Sequence, residues 1–276
     1  MKYPALLIWF LFFPIWIISL EAQPLNKVCF PTTHNSFNVA KGKKHFIFPN
    51  HTYPITQQLN DSIRGFMLDV YERKKEIYLY HSFPILGKQK LSSVLKDIKS
   101  WLSMHPNEVI AIIFQNAISR EKLLEEFSKL QMDSLLATIN WNKPLPTLQE
   151  LVTKNQRIIA FVESNDPDSE LPIYGAWRHI FDTPWQIKPQ QALPNTIGRG
   201  KAFNPLFMVN HWIDRMVPRK RDAKRFNEFD FLKKRILDCK QELGRWPNFI
   251  GVNFHEKGRL VKVCQWVQHE LNKENQ

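Results

Sequence analysis

The sequence predicts an α/β protein with one irregular (β/α)₈ barrel of the TIM type, and two observations support this fold class. Eight short apolar runs have the length and composition of buried strands, and most of them precede a segment with helical periodicity. The 276 residues suffice for one large domain or two small ones. The chain contains neither an internal repeat nor a second domain boundary. The predicted strands cover residues 28–30, 63–68, 77–80, 109–114, 157–162, 178–181, 206–209 and 249–252.

The first 22 residues have the pattern of a secretory signal peptide. Lys2 precedes an apolar run that extends to Leu20, and the small residue Ala22 is a plausible cleavage position. The run is marginal for crossing a bilayer, which takes about 20 apolar residues, so an uncleaved signal anchor is the alternative. We therefore expect a signal peptide or signal anchor at 1–22 and the barrel at 23–276. The protein would be secreted or extracytoplasmic, or else held at a membrane by its N-terminal segment.

Helices are predicted from capping residues and from apolar positions at helical spacing. Ser119 can cap a helix after the fourth strand, and Thr147 with Glu150 forms a capping box. The connection at 71–76 is an exception, because two parallel strands need a crossover of about a dozen residues. Either the barrel is irregular at this corner or one of the flanking strands is antiparallel. The predicted helices cover residues 56–61, 94–102, 121–130, 147–153, 223–243 and 260–271.

Polar side chains follow the predicted strands at the positions where parallel barrels carry catalytic groups. His34 follows the first strand, Asp69 ends the second, and His81 follows the third. Two histidines and a carboxylate suit acid–base cleavage of a phosphodiester, because the unperturbed imidazole pKa of about 6.5 lies near working pH. Other strand-end residues are candidate substrate contacts, although for His211 a buried structural role fits the pattern equally well. These candidates are Asn35, Gln115, Asn210 and His211.

The net charge of +12 and the pI near 9.6 point to an anionic partner. Much of the positive charge falls in loops after the strands, beside aromatic residues, with the densest group at 215–225. Such a rim is typical of docking on an anionic membrane surface, although a solvated charge run accounts for 219–225 equally well. The sequence contains no nucleic-acid recognition motif, so nucleic acid is not an expected partner. Residues of this predicted rim include Phe46, Phe48, Phe83, Trp185, Trp212, Arg199, Lys201 and Arg215.

Six segments, taken together and in order, carry a family resemblance. They are Thr33–Phe37, Arg64–Tyr71, Tyr80–Phe83, Asn107–Val109, Lys154–Arg157 and Gly244–Ile250. In these segments the chain resembles the phosphatidylinositol-specific phospholipase C X-domain family, in its secreted PLC-like phosphodiesterase branch. The resemblance extends over nearly all of the chain after the N-terminal apolar segment.

The resemblance implies a barrel that cleaves a phospholipid or a related phosphodiester with two histidines. By position, His34 resembles the family's base and His81 its general acid. Asn35 and Asp69 fall on positions that hold calcium in the metal-dependent members, and Glu72 is a further candidate ligand. With a phosphoinositide substrate, an inositol hydroxyl would attack and give a cyclic phosphate. Otherwise water would be the nucleophile.

The chain departs from the family pattern at two strand ends. Gln115 stands where metal-dependent relatives carry a glutamate, and Asn253 stands where relatives often place an aspartate that could orient the first histidine. These departures motivate a second hypothesis, a barrel that has lost catalysis and binds anionic lipid or glycan headgroups. A third hypothesis is a metal-dependent hydrolase of the glycerophosphodiesterase kind. The sequence does not identify the arginine that replaces calcium in the metal-free bacterial enzymes.

Overall fold

The described part of the chain comprises residues 23–42, 46–116 and 118–274 of a computed structural model, and it forms a curled sheet with helices outside it. The predicted signal segment at 1–22 lies outside these described residues. No helix within them combines the length and the apolar composition needed to cross a membrane. The strands are β1 (Phe30–Thr33), β2 (Gly65–Arg73), β3 (Glu76–Leu79), β4 (Gln89–Lys90), β5 (Ile110–Gln115), β6 (Ile158–Val162), β7 (Ile173–Gly175), β8 (Ile180–Asp182), β9 (Leu206–His211) and β10 (Phe249–Val252).

Eight of these strands run parallel, in the order β7-β6-β5-β2-β1-β10-β9-β8. β1 lies at the centre, with Thr33 opposite Val252 of β10 and Thr32 opposite Gly65 of β2. A glycine is required at position 65, because a Cβ atom there would lie 2.2 Å from the hydroxyl oxygen of Thr32. This arrangement confirms the predicted α/β barrel class.

One predicted barrel strand is wrong, and another was missed. The run at 77–80 forms β3, which pairs antiparallel with β2 and therefore does not belong to the parallel wall. Lys74 and Lys75, both with positive φ, form the two-residue turn between β2 and β3. This outcome is the antiparallel alternative that the short connection at 71–76 left open. The missed parallel strand is β7, which is only three residues long and follows a loop rich in acidic residues.

Apolar residues cover both faces of the parallel sheet. Phe30, Met67 and Phe161 belong to the core cluster that also contains Phe249. A second cluster packs the alternate strand residues, such as Phe114, against the surrounding helices. Two buried faces explain why β5 and β6 appear in the sequence as continuous apolar runs. Three cysteines have free, buried thiols: Cys29, Cys239 and Cys264.

Two helices begin where the capping residues predicted them, whereas the helix predicted over 94–102 begins at Leu91. The Ser119 hydroxyl accepts a hydrogen bond from the Lys122 amide, and Thr147 and Glu150 form the reciprocal capping box. The helix predicted over 223–243 is interrupted after Phe226, where the chain forms a second helix. The helices are α1 (Ile55–Asn60), α2 (Leu91–Met104), α3 (Arg120–Lys129), α4 (Leu148–Thr153), α5 (Ala176–His179), α6 (Lys220–Phe226), α7 (Phe229–Leu243) and α8 (Leu260–Lys273).

Two arginines of the family-like segments stabilise the end of the barrel opposite the strand carboxyl termini. Arg64 donates to both carboxylate oxygens of Glu108, at 2.7 and 2.9 Å. Arg157 donates to the carbonyl oxygens of Leu102 and His105 at the end of α2, at 2.8 and 3.1 Å. Bidentate and multiple guanidinium bonds of this kind fix geometry, so these two arginines contribute to the fold and not to the mouth.

Candidate active site

His34 lies directly after β1, at the centre of the mouth formed by the strand carboxyl ends. Its ring stacks on Trp212, with the two centroids 3.9 Å apart and the planes 5° from parallel. Its backbone amide donates to the carbonyl of Val252 at 3.0 Å. The residue is therefore held by the ends of two strands on one side of β1, namely β9 and β10.

A chain of side-chain amides determines which nitrogen of His34 carries the proton. Asn38 Nδ2 donates to Asn50 Oδ1 at 2.6 Å, and Asn50 Nδ2 donates to Asn253 Oδ1 at 3.0 Å. Asn253 Oδ1 can only accept, so the contact of 3.0 Å with His34 Nδ1 requires a hydrogen on Nδ1. A neutral His34 therefore carries its lone pair on Nε2, where it can accept a proton.

The pKa of His34 is lowered to about 3. Burial is the main cause, and the charges of His81 and Arg199 add to it, while the hydrogen bond to Asn253 acts in the opposite direction. The His81 imidazole is therefore near enough for its charge to act on the His34 ring. His34 is thus neutral over the physiological range.

Asp69 and Asn35 lie on the Nε2 side of His34. When the amide nitrogen of Asn35 donates to the two carboxylate oxygens of Asp69, at 3.1 and 3.3 Å, its oxygen lies 3.3 Å from His34 Nε2 and accepts a hydrogen bond from that nitrogen only when the imidazole is doubly protonated. Asn35 has a positive φ of 50°, which asparagine tolerates better than most residues. Burial, together with the charge of Glu163, raises the pKa of Asp69 to about 7. Protonated Asp69 is therefore a major species near neutral pH.

His81 reaches the mouth by a different route from the one predicted. β2 and β3 pair with Val70 opposite Leu79. The chain that follows β3 therefore runs back toward Asp69, where β2 ends its pairing with β5. Tyr80 stacks on Tyr71 with a centroid distance of 3.9 Å, which fixes this return. Burial lowers the pKa of His81 from its ordinary value, and the charge of Asp214 opposes that effect.

Three charged residues at the mouth were not among the predicted site residues. Arg199 donates to Asp182 through Nε at 2.9 Å and through Nη2 at 2.5 Å, and its Nη1 pairs with Glu163. The Arg199 guanidinium also lies over the Trp177 ring, 3.9 Å from its centroid. Glu163 follows β6 and Asp182 ends β8, so the strand-end rule applied to every strand would have found both. Arg199 belongs to this network and not to the rim where it was predicted.

Gln115 and Asn210 lie at the mouth as predicted. Gln115 is opposite Asp69 in the β2–β5 register, and its Oε1 is buried without a hydrogen-bond partner in the described residues. Asn210 Nδ2 donates to Asp182 Oδ2 at 2.9 Å, which links it to the Arg199 network.

His211 lies on the opposite side of β9 from Asn210, because successive strand residues alternate. Its Nε2 donates to the carbonyl of Phe226 at 2.8 Å, and its ring packs against Phe226 and Phe231. Burial lowers the pKa of His211 to about 4. The structure therefore places His211 in the packing between sheet and helices, and does not bring it to the site.

The predicted calcium ligands do not converge. Glu72 is exposed, and its carboxylate pairs with Lys122 on the outer side of β2. Only Asn35 and Asp69 of the predicted set lie together. Calcium takes about six to eight oxygen ligands, several of them carboxylates, so these residues do not fit the ion.

Comparisons with known proteins agree with this architecture. A family model described as PI-PLC X matches residues 22–272. A PI-PLC X domain-containing protein of Arabidopsis thaliana is 26% identical over an alignment of 264 residues, which covers 86% of this chain and 60% of that protein. PI-PLC X domain-containing protein 1 of Arthroderma benhamiae is also 26% identical over 264 residues, covering 86% of this chain and 83% of that protein. The chain thus spans less than two thirds of the length of the plant relative.

Solved structures share the fold. The phosphatidylinositol-specific phospholipase C of Listeria monocytogenes has a TM-score of 0.61 at 18% identity, covering 91% of this chain and 97% of that chain. A mutant of the Staphylococcus aureus phosphatidylinositol-specific phospholipase C has a TM-score of 0.58 at 13% identity, with coverages of 92% and 95%. These likenesses concern the barrel fold alone.

The hydrogen bond from His34 to Asn253 predicts the effect of restoring a charge at that position. We expect Asn253→Asp to raise the pKa of His34 from about 3 to roughly 4–6, because an opposite charge beside an imidazole favours its protonated form. An NMR titration of the histidine ring protons measures this pKa. Asn142→Asp, at an exposed position, is the matched control and leaves the titration of His34 unchanged. A pKa still near 3 in Asn253→Asp would contradict the assigned contact.

Proposed function

We propose, since the chain belongs to the PI-PLC X domain family, that it cleaves a phosphodiester and that its substrate is a phospholipid. His34 acts as the base, His81 as the general acid, and Asp69 with Asn35 stabilises the protonated base. One observation carries the proposal: the amide chain fixes the His34 proton on Nδ1 and leaves Nε2 on the side of Asp69 and Asn35.

In the first half of the proposed reaction, His34 Nε2 takes the proton of the attacking hydroxyl, which belongs either to the substrate or to water. Asn35 then accepts a hydrogen bond from Nε2–H through its oxygen while its nitrogen donates to Asp69, at the distances found in the structure. Asp69 is mostly protonated below its pKa of about 7, so its uncharged carboxyl group serves to hold Asn35 in place. The negative phosphoryl group lies beside the imidazolium, so the low pKa of free His34 rises as the charge develops.

In the second half, His81 donates its proton to the leaving oxygen as the bond from phosphorus to that oxygen breaks. An apolar groove lies beside His81, lined by Phe46, Phe48, Phe83, Leu86 and Met216. A groove of this composition suits an apolar leaving alcohol, such as the diacylglycerol part of a phospholipid, more than a polar one. This position supports a lipid substrate and the role of His81 as acid.

An exposed apolar patch near this groove supports docking on a lipid surface. Ile85 is 86% exposed, Phe83 64% and Ile47 60%, and the Ile47 amide donates to the carbonyl of Leu86 at 2.8 Å. The segment at 46–48 and the turn at 83–86 therefore form one surface. Exposed apolar clusters of this kind mark interaction sites, and a lipid surface is consistent with the secreted or membrane-anchored location expected from residues 1–22.

Two aromatic residues of the predicted rim are not exposed in this patch. Trp212 and Phe46 are buried, Trp212 against His34 and Phe46 in the core cluster. Arg215 pairs with Asp222 at 2.7 Å, which reduces its attraction for anionic lipid. The proposed docking surface is accordingly the apolar patch, and its apolar residues contribute most of the affinity.

Replacing either histidine tests the proposed roles. We expect His34→Ala and His81→Ala each to lower kcat/KM on a phospholipid diester by about 10²–10⁴-fold, because each removes one proton transfer. The assay follows release of the phosphorylated headgroup from a panel of phosphodiesters, with and without chelator. His269→Ala, at an exposed position on α8, is the control and retains the wild-type rate.

Equal rates for the wild type and the His34→Ala/His81→Ala double variant on every diester would overturn this proposal. Binding of anionic lipid or glycan headgroups by the wild type, in the absence of turnover, would then favour the non-catalytic hypothesis. Loss of activity with chelator and its recovery with calcium or magnesium would favour the metal-dependent hydrolase.

The apolar patch yields a second prediction. We expect Ile47→Ser/Ile85→Ser to lower activity on phospholipid vesicles by about 10-fold or more, because each buried isoleucine contributes roughly 1.5–3 kcal/mol. Activity on a soluble short-chain diester stays unchanged. Met104→Ser is the control, because Met104 is 67% exposed at the opposite end of the barrel. An equal loss on vesicles and soluble diester would contradict a docking role.

A further inference from the structure

Three buried polar atoms outside the proposed catalytic pair face one another without hydrogen-bond partners. They are His51 Nδ1, His255 Nδ1 and Glu256 Oε2, and one ligand atom of each of these three side chains lies within 4.8 Å of the other two. His51 is 0% exposed and His255 6%. Among the described residues, this is the one group of three histidine, cysteine or acidic side chains that has the spacing of metal ligands.

The other polar atom of each side chain is already held by a fixed partner. His51 Nε2 donates to the carbonyl of His34 at 2.8 Å, and His255 Nε2 donates to the Asp61 carboxylate at 3.0 Å. Both imidazoles therefore direct an Nδ1 lone pair toward the common point. Metal-binding histidines characteristically donate their remaining N–H to a carbonyl or a carboxylate, which fixes their tautomer and orientation.

Glu256 completes the arrangement in the same way. Its Oε1 accepts a hydrogen bond from the Thr52 hydroxyl, which leaves Oε2 for the common point. Oε2 lies 3.7 Å from His255 Nδ1. While both histidines are neutral, two lone pairs and a carboxylate oxygen share a buried space with no donor among them, which is unfavourable unless a metal cation binds them or a proton is added at His255 Nδ1, 3.7 Å from Glu256 Oε2.

We propose that His51 Nδ1, His255 Nδ1 and Glu256 Oε2 bind Zn²⁺, with water as the fourth ligand. Two imidazole nitrogens and one carboxylate suit zinc, whereas calcium and magnesium prefer oxygen ligands throughout. Ligand distances of about 2.0–2.2 Å in a tetrahedral site separate the ligand atoms by about 3.3–3.6 Å, close to the 3.7 Å between His255 and Glu256. The remaining atoms reach this spacing with small side-chain movements.

The position of this site gives the metal a role in positioning His34. His51 contacts the His34 carbonyl directly, and His255 lies two residues after Asn253, the partner of the His34 ring. Phe254 between them has a positive φ of 46°, and its amide donates to the carbonyl of Asn50 at 2.8 Å. Zinc would thus join the segment at 50–52 to the segment at 253–256, on the side of His34 away from substrate. Zinc binding itself does not depend on the proposed reaction.

Metal analysis of the full chain tests this proposal. We expect purified wild-type protein, stripped with chelator and titrated with Zn²⁺, to bind one equivalent and to show a higher Tm with zinc than without it. Glu256→Gln keeps the size of the side chain and weakens zinc binding by more than about 100-fold, the upper end of what loss of an outer partner costs. Co²⁺ in place of Zn²⁺ gives the absorption bands of a tetrahedral site in the wild type, and Glu256→Gln abolishes them.

Two control variants distinguish zinc bound at this cluster from zinc bound elsewhere on the chain. His269→Ala, at an exposed histidine, and Asp69→Asn, at the mouth of the barrel, both retain one equivalent of zinc. His51→Ala provides a second loss of a ligand, with its fold checked by circular dichroism. Absence of zinc binding by the wild type would overturn the proposal. So would retention of zinc by Glu256→Gln and folded His51→Ala, or its loss in Asp69→Asn.

Discussion

The architecture of the mouth depends on keeping His34 buried, neutral and protonated on one defined nitrogen. Burial alone does not determine which ring nitrogen of neutral His34 carries the proton. The hydrogen-bonded chain from Asn38 through Asn50 to Asn253 places that proton on Nδ1. Stacking on Trp212 fixes the plane of the ring. A neutral amide at position 253 orients the imidazole and raises its pKa less than a carboxylate would. The site therefore combines the His34 imidazole, which is oriented but only weakly basic, with the Asp69 carboxyl group, whose pKa is raised.

The sequence predicted the fold class and the central pair of histidines because both depend on local patterns. Continuous apolar strands and capping residues specified the α/β elements, and His34 and Asp69 follow strands of the parallel wall. The prediction for His81 rested on a wrong assumption, namely that the preceding strand is parallel to its neighbours. β3 is antiparallel to β2, and this hairpin returns the chain toward the mouth. The three-residue strand β7 carries too little periodicity to stand out from a loop.

The errors at the site arise from side-chain direction and from long-range pairing. Asn210 and His211 were predicted together, yet adjacent strand residues point to opposite faces, so only one can face the mouth. The same alternation separates Glu72 from Asp69. Arg199 could not be assigned from the sequence, because its partners Glu163 and Asp182 follow other strands. Its charge is balanced by these two carboxylates, so it belongs to the site and not to a basic rim.

The pH dependence of kcat/KM on a phosphodiester is the sharpest test of a neutral His34 base that works with a His81 acid. With the pKa of His34 at about 3 and that of His81 below its ordinary 6.5, the base is neutral and the acid is protonated together only in the acidic range. We expect a maximum of kcat/KM below about pH 6.5 and a tenfold fall per pH unit above it, as His81 loses its proton. A kcat/KM that rises steadily from pH 5 to pH 8 would contradict these roles, because the rate would then depend on a group that loses its proton near neutrality.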